Sequence, residues 1–119
     1  SRLTTINLSN FNTSNAIWMQ AMFRGCSKLT TPTNIKAFKT DKVTNMQEMF
    51  SGCSSLTSLN CYNDSDSSCW NTRNVTNMNY MFQNCSNLAT INRRAGNWST
   101  KATTTGMFNG CKATGFTNK

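Results

Sequence analysis

The sequence predicts an α/β repeat solenoid, a stack of about four coils that each carry a short strand and a short helix. Three observations predict it. A five-residue motif occurs four times in the 119 residues, as Met22-Phe23-Arg24-Gly25-Cys26, Met49-Phe50-Ser51-Gly52-Cys53, Met81-Phe82-Gln83-Asn84-Cys85 and Met107-Phe108-Asn109-Gly110-Cys111. Successive copies start 27, 32 and 26 residues apart, and self-similarity at such a period marks stacked repeats. Between the copies, a strand pattern and then a helical spacing of apolar residues return in fixed phase.

The strand comes first in each unit. Leu3-Thr4-Thr5-Ile6-Asn7-Leu8 has the spacing LxxLxL, the strand signature of a leucine-rich repeat, so the coils read as leucine-rich-repeat-like. Leu56 to Cys61 and Leu88 to Arg93 repeat it, each starting three residues after the motif cysteine. The copy beginning at Leu29 has Pro32 where Leu59 and Ile91 stand. Proline cannot donate to a ladder, so a short or irregular strand is expected there.

The helix is expected next. Val43, Met46, Met49, Phe50 and Cys53 recur at helical spacing, as do Val75, Met78, Met81, Phe82 and Cys85. Thr13, Thr40 and Thr72 each lie nine residues before the motif methionine, where a helix takes its N-cap. Gly25, Gly52, Asn84 and Gly110 precede the cysteines and accept a left-handed backbone cheaply, which reads as a helix stop. Phe11, Phe38, Trp70 and Trp98 form an aromatic corner whose rings should stack. The helix ending at Met107 is Thr-rich and lacks the Val and Met anchors, so the last coil should be the least stable. The coils run over about 3–28, 29–55, 56–87 and 88–119 of a single domain, with an insertion at 61–69.

Composition narrows the partners. Only 37% of residues are apolar, and Asn, Ser and Thr fill 49 positions. That is poor material for an ordinary globule and close to a disordered composition. The fixed phases of the apolar residues argue against disorder, because one narrow apolar layer per coil needs few of them. The net charge is +8, with the cations dispersed rather than clustered. A solvated surface is expected, with an acidic partner second and no nucleic acid. No run approaches the ~20 apolar residues of a membrane span, so direct membrane insertion is not expected. The chain opens Ser1-Arg2-Leu3 and reads as a processed form or a segment of something longer.

The chemistry expected is sparse. Cys26, Cys53, Cys85 and Cys111 share one phase and should form a column of small buried side chains. Cys61 and Cys69 bracket the Ser/Asp-rich insertion, and a disulfide between them is expected, consistent with an oxidising compartment. The chain has no His and no CxxC, so no zinc site and no cofactor are expected. Asp64-Ser65-Asp66 lacks the glycine and bidentate glutamate of a calcium loop. Asn7, Asn12, Asn63, Asn74 and Asn97 open glycosylation sequons; Asn63 in the insertion is the best placed and Asn84, also in a sequon, the worst. With no His and four acids, an enzyme is not expected.

Phe38 to Leu59 and Trp70 to Ile91 follow a unit similar to F-T-x-x-V-T-N-M-x-x-M-F-x-G-C-S-x-L-x-x-L. In this the chain resembles the BspA-like leucine-rich repeat surface proteins, over nearly its whole length. The resemblance implies a non-catalytic extracellular or cell-surface module that binds a host, matrix or cell-surface protein or glycan. Exposed side chains outside the repeat phases are the candidate contacts: Tyr62, Asp64, Asp66, Tyr80, Lys36, Lys39, Arg93 and Arg94. The alternative expectation is a structural subunit that polymerises head to tail into an extracellular filament or lattice, a non-closing contact.

Overall fold

The computed structural model describes residues 5–7, 15–33, 39–61 and 70–118. Among the described residues five short strands recur: β1 (Thr5–Asn7), β2 (Thr31–Thr33), β3 (Ser58–Asn60), β4 (Thr90–Arg93) and β5 (Thr117–Asn118). Each of the first four centres on one residue of the LxxLxL phase, and Leu59 and Ile91 point inward and are buried. All pairing is parallel. β1 pairs β2 with Ile6 opposite Pro32, β3 pairs β4 with Leu59 opposite Ile91, and β4 pairs β5 with Asn92 opposite Thr117. The sequence falls into two ladders, β1-β2 and β3-β4-β5. Pro32 does not remove its strand: β2 forms over three residues.

Parallel neighbours need long crossovers, and here the crossovers stack as well. Among the described residues there is no α-helix, only one 3₁₀ turn at Ala95–Asn97. The expected α/β solenoid of strand–helix coils is therefore corrected. Where a helix was expected, the backbone alternates two kinds of hydrogen bond. The N–H groups of Met46, Glu48, Phe50 and Gly52 donate to the carbonyls of Asn77, Asn79, Met81 and Gln83 in the following repeat. Those of Met49, Ser51 and Cys53 donate three residues back, to Met46, Glu48 and Phe50. A helix would send every donor four residues back along its own strand of chain. Here half of them leave for the neighbour.

The same alternation holds from Met19 to Gly25 against Asn45 to Ser51, and from Met78 to Asn84 against Thr103 to Asn109. It requires left-handed backbone at two phases. Ala21, Glu48, Tyr80 and Gly106 occupy one, with φ of 57°, 57°, 59° and 63°; Gly25, Gly52, Asn84 and Gly110 occupy the other, at 74°, 79°, 61° and 74°. A left-handed residue every four positions is incompatible with an α-helix. The Thr residues expected as N-caps serve the next repeat instead. Thr40 Oγ1 donates to the Asn71 carbonyl at 2.9 Å and accepts its N–H at 2.8 Å, and Thr72 Oγ1 accepts from Ser99 N–H at 2.9 Å. Thr13 lies outside the described residues.

Inside the turns runs an aromatic ladder. Phe23, Phe50, Phe82 and Phe108 stack with centroids 5.3, 5.7 and 5.8 Å apart and interplanar angles of 15° or less. Trp70 and Trp98 stack beside it at 6.5 Å; Phe11 and Phe38, expected in that column, lie outside the described residues. Val43, Met46, Met49, Phe50 and Cys53 are all fully buried, and so are their counterparts in the next repeat to within 1%. The assembly measures 31 × 29 × 25 Å. Polar side chains tie repeat to repeat: Asn45 to Gln20 at 2.8 Å, Asn77 to Gln47 at 3.2 Å, Asn74 to the Asp41 carbonyl and Asn87 to the Ser54 carbonyl, both at 2.7 Å.

Candidate functional site

Stacking satisfies the backbone of the middle repeats and leaves two rims. On the first turn segment the carbonyls of Trp18, Gln20, Met22 and Arg24 stand where Asn45, Gln47, Met49 and Ser51 accept from the preceding repeat. Among the described residues these four accept no hydrogen bond. On the last, the N–H groups of Thr104, Gly106, Phe108 and Gly110 stand where Met78, Tyr80, Phe82 and Asn84 donate, and among the described residues they donate to nothing. At these four phases the first segment presents acceptors and the last presents donors, whereas the N–H groups of Thr44, Thr76 and Thr103 donate the other way, to the carbonyls of Ile17, Thr44 and Thr76.

Side-chain exposure marks the same rims. Met22 is 37% exposed although Met49 and Met81 at its phase are at 0%, and beside it Ile17 is 50% and Trp18 72% exposed. Trp18 occupies the outward phase of Asn45, Asn77 and Thr103. These three are the large apolar side chains exposed among the described residues, and exposed apolar groups mark interaction sites where they gather into a patch. The sequence reading missed them. Their signal was present, since Ala16-Ile17-Trp18-Met19 stands where the later repeats read Val43-Thr44-Asn45-Met46 and Val75-Thr76-Asn77-Met78.

The opposite rim borders an open hollow lined by Arg93, Thr104, Gly106, Met107, Phe108, Asn109 and Phe116. Phe116, just before β5, sets its edge against Phe82 and Phe108 and lies 4.8 Å from Trp98. The Arg93 guanidinium lies over Phe116 at 4.1 Å and Trp98 at 5.5 Å, with Nε donating to Asn118 Oδ1 at 2.9 Å. Its partial burial lowers its affinity for the proton below the ordinary arginine value. Arg93, expected as a contact residue, thus holds β5 and Phe116 in place.

Of the other expected contacts, Tyr80, Lys39 and Arg94 fall among the described residues. Tyr80 is half-buried, with its ring against the bare backbone of Gly106, where a Cβ would meet it at 2.5 Å. Lys39 is exposed and Arg94 half-buried. Lys36, Tyr62, Asp64 and Asp66 lie outside the described residues, as do Cys69, Asn12 and Asn63 and the side chain of Asn7. Cys61 is buried, and its carbonyl accepts the Trp70 N–H at 3.1 Å, closing the base of the insertion. Of the sequon residues described, Asn74 is exposed and Asn97 accepts from Arg73 Nη2 at 3.1 Å.

The four in-phase cysteines carry free thiols. Cys53 Sγ donates to the Phe23 carbonyl at 3.1 Å and Cys85 Sγ to that of Phe50 at 3.0 Å. Burial above all, then the neighbouring thiols, push both up to about 12. Such thiols are poor nucleophiles. Among the described residues no three His, Cys, Asp or Glu side chains come together as a metal site. The one ion pair among them joins Arg24 to Glu48 at 3.4 Å, across successive repeats. No helix among the described residues is long and apolar enough to cross a membrane.

These features define a repeat protein whose short parallel strands and tight turns stack in register around an aromatic ladder. The chain belongs to the family of Mycoplasma proteins of unknown function designated DUF285, which it matches over residues 1–118. No curated protein matches it, and no solved structure does.

Proposed function

We propose that this chain is a non-catalytic recognition module that binds a partner protein at the cell surface or outside the cell. The observation that supports this best is the exposure of Ile17, Trp18 and Met22, apolar side chains carried in solvent by a backbone braced against the next repeat. Tryptophan at the centre of such a patch supplies a large rigid contact at little entropic cost. The resemblance to the BspA-like surface proteins supports the extracellular setting and a host, matrix or cell-surface partner. The acids available among the described residues are Asp41 and Glu48, and Glu48 is tied to Arg24, which favours binding over catalysis.

The test is a panel of immobilised matrix proteins and glycans probed with the chain and with Trp18→Ala. Binding to a protein that weakens at least about 30-fold in the variant supports the reading, since a hot-spot tryptophan contributes about 2 kcal/mol or more. Binding that ignores Trp18, or that falls only on glycans, would count against it.

A further inference from the structure

We infer that the outer corner following the aromatic column in each repeat binds an acidic polysaccharide laid along the stack. The inference goes beyond the Trp18 reading and uses none of its residues.

The corner is built in register from three segments, 39–42, 71–74 and 99–101. Thr40 and Thr72 are buried, and Oγ1 of each bonds the backbone of the next segment, at Asn71 and Ser99. Asn74 Nδ2 reaches back to the Asp41 carbonyl at 2.7 Å, and Ser99 Oγ to that of Val75 at 2.8 Å. Around the inward threonines, Lys39, Lys42, Arg73 and Lys101 are all exposed. Segments 39–42 and 71–74 have a repeat on either side, so their exposure comes from facing outward and owes nothing to a missing neighbour.

Cations dispersed along the sequence are gathered here by the fold. Lys39, Lys42, Arg73 and Lys101 share the corner with one acid, Asp41, while Glu48 is engaged with Arg24 elsewhere. They form a line, not a point. Lys42 Nζ lies toward the preceding repeat, 3.2 Å from Asn15 Oδ1. The Arg73 guanidinium lies toward the following one, donating to the Gly96 carbonyl at 2.8 Å and to Asn97 Oδ1 at 3.1 Å. Adjacent parallel segments stand about 5 Å apart, so the strip from Asn15 to Asn97 runs over roughly 15 Å. A single phosphate or sulfate needs donors that converge on it. Separated charges in a row suit a linear polyanion, which releases counterions at one contact after another.

The chemistry of the corner selects among polyanions. Trp70 and Trp98, which precede two of the segments, are 1% and 6% exposed. They offer no face for the base stacking that single-stranded nucleic acid uses. None of the exposed residues in the three segments is apolar, so a membrane surface would find charge without an anchor. Between the cations stand Asn74 and Thr100, exposed amide and hydroxyl groups that match the hydroxyls of a sugar.

Isothermal titration with size-fractionated heparin at about 50 and 200 mM salt is the direct measurement. The parent chain should bind at the lower salt and lose about tenfold or more at the higher. Lys42→Gln/Lys101→Gln should bind about tenfold or more weakly than the parent at the lower salt. Lys28→Gln/Lys112→Gln makes the same change in net charge at exposed sites off the corner and should stay within about threefold of the parent. Lys39→Gln/Lys101→Gln takes the place of the first variant should loss of the Lys42–Asn15 bond lower its urea midpoint. Trp18→Ala should bind heparin as the parent does. Equal losses in the corner and control variants, no binding at the lower salt, or tighter binding to an oligothymidylate or to phosphatidylserine vesicles than to heparin overturns the inference. Heparin binding lost in Trp18→Ala overturns it too. Corner binding intact, with protein binding on the matrix panel indifferent to Trp18, overturns the Trp18 reading alone.

Discussion

Replacing Phe82 with alanine tests whether the aromatic ladder holds the stack. Phe82 is fully buried, with Phe50 at 5.7 Å on one face, Phe108 at 5.8 Å on the other and the Phe116 edge at 6.2 Å. Truncating a buried phenylalanine costs about 3–5 kcal/mol in lost transfer and cavity. Two face-to-face partners add roughly 0.5–1.5 kcal/mol each beyond buried area, which places the loss at the upper end, about 5 kcal/mol. Phe108 touches one stacked neighbour and is only half-buried, so Phe108→Ala should cost about 1–2 kcal/mol, the lower side of the same mechanism. A chain of this size has about 6–18 kcal/mol to lose at 0.05–0.15 kcal/mol per residue. With a urea slope of ~2 kcal/mol/M, Phe82→Ala should lower the unfolding midpoint by roughly 2.5 M and Phe108→Ala by less than 1 M. Equilibrium urea unfolding followed by tryptophan fluorescence reads both. Equal shifts for the two variants, or a Phe82→Ala shift under about 0.5 M, would refute the ladder as the core of the fold.

Three further outcomes follow from the same geometry. Thr40→Val leaves the half-buried Asn71 N–H and carbonyl without their Thr40 partner and should cost about 2–3 kcal/mol by urea unfolding, more than the ~1 kcal/mol of a lost helix cap; a smaller loss would contradict the two-bond bridge. Gly106→Ala drives a Cβ into the Tyr80 ring at a left-handed position, whereas a Cβ at Gly52 meets only Gly25 backbone at 3.6 Å. Gly106→Ala should therefore cost more than Gly52→Ala, and adding Tyr80→Ala should return about 0.5–1.5 kcal/mol of coupling; simple additivity would contradict the contact. Cys53 and Cys85 ionise at about 12 when folded, above the ordinary 9.0. Because the folded value is the higher one, their contribution is constant below pH 9 and is lost as pH climbs toward 12. The stability advantage of the parent chain over Cys53→Ala/Cys85→Ala should shrink across that window and nowhere below it, as urea unfolding at stepped pH would reveal.

Residues that pack together were legible in the sequence; the backbone that brings them together was not. Met46, Met49, Phe50 and Cys53 share one side of the chain because their spacing is three or four residues, and a helix was the natural inference. A succession of tight turns closed by bonds three residues back produces the same spacing. The difference lies in the left-handed residues. At one phase Gly25, Gly52, Asn84 and Gly110 announced them. At the other, Ala21, Glu48 and Tyr80 carry no such mark, and only Gly106 hinted at a second bend in each repeat. Those non-glycine residues are held there by the neighbouring repeats, through bonds such as Glu48 N–H to Asn79 and Tyr80 N–H to Thr105. A constraint imposed by a segment some thirty residues away leaves no local trace.

The exposed apolar residues were obscured for the opposite reason. Reading for exposed charge and tyrosine singled out Arg93 and Tyr80, yet Arg93 clamps Phe116 and Tyr80 lies on Gly106. Polar side chains in this molecule mostly bind the stack itself, since Asn74, Asn77 and Asn87 each reach a partner about thirty residues back. That use explains how a chain only 37% apolar can fold: each repeat adds backbone and side-chain bonds to its neighbour along with one apolar layer. It also inverts the usual criterion for a binding residue. Where Asn, Ser and Thr are structural, the side chains that stand out by exposure among the described residues are Trp18 and Ile17, apolar residues at phases the other repeats give to Asn and Thr. Trp18, 72% exposed at that phase, buries little apolar surface within the chain and so contributes little to its stability.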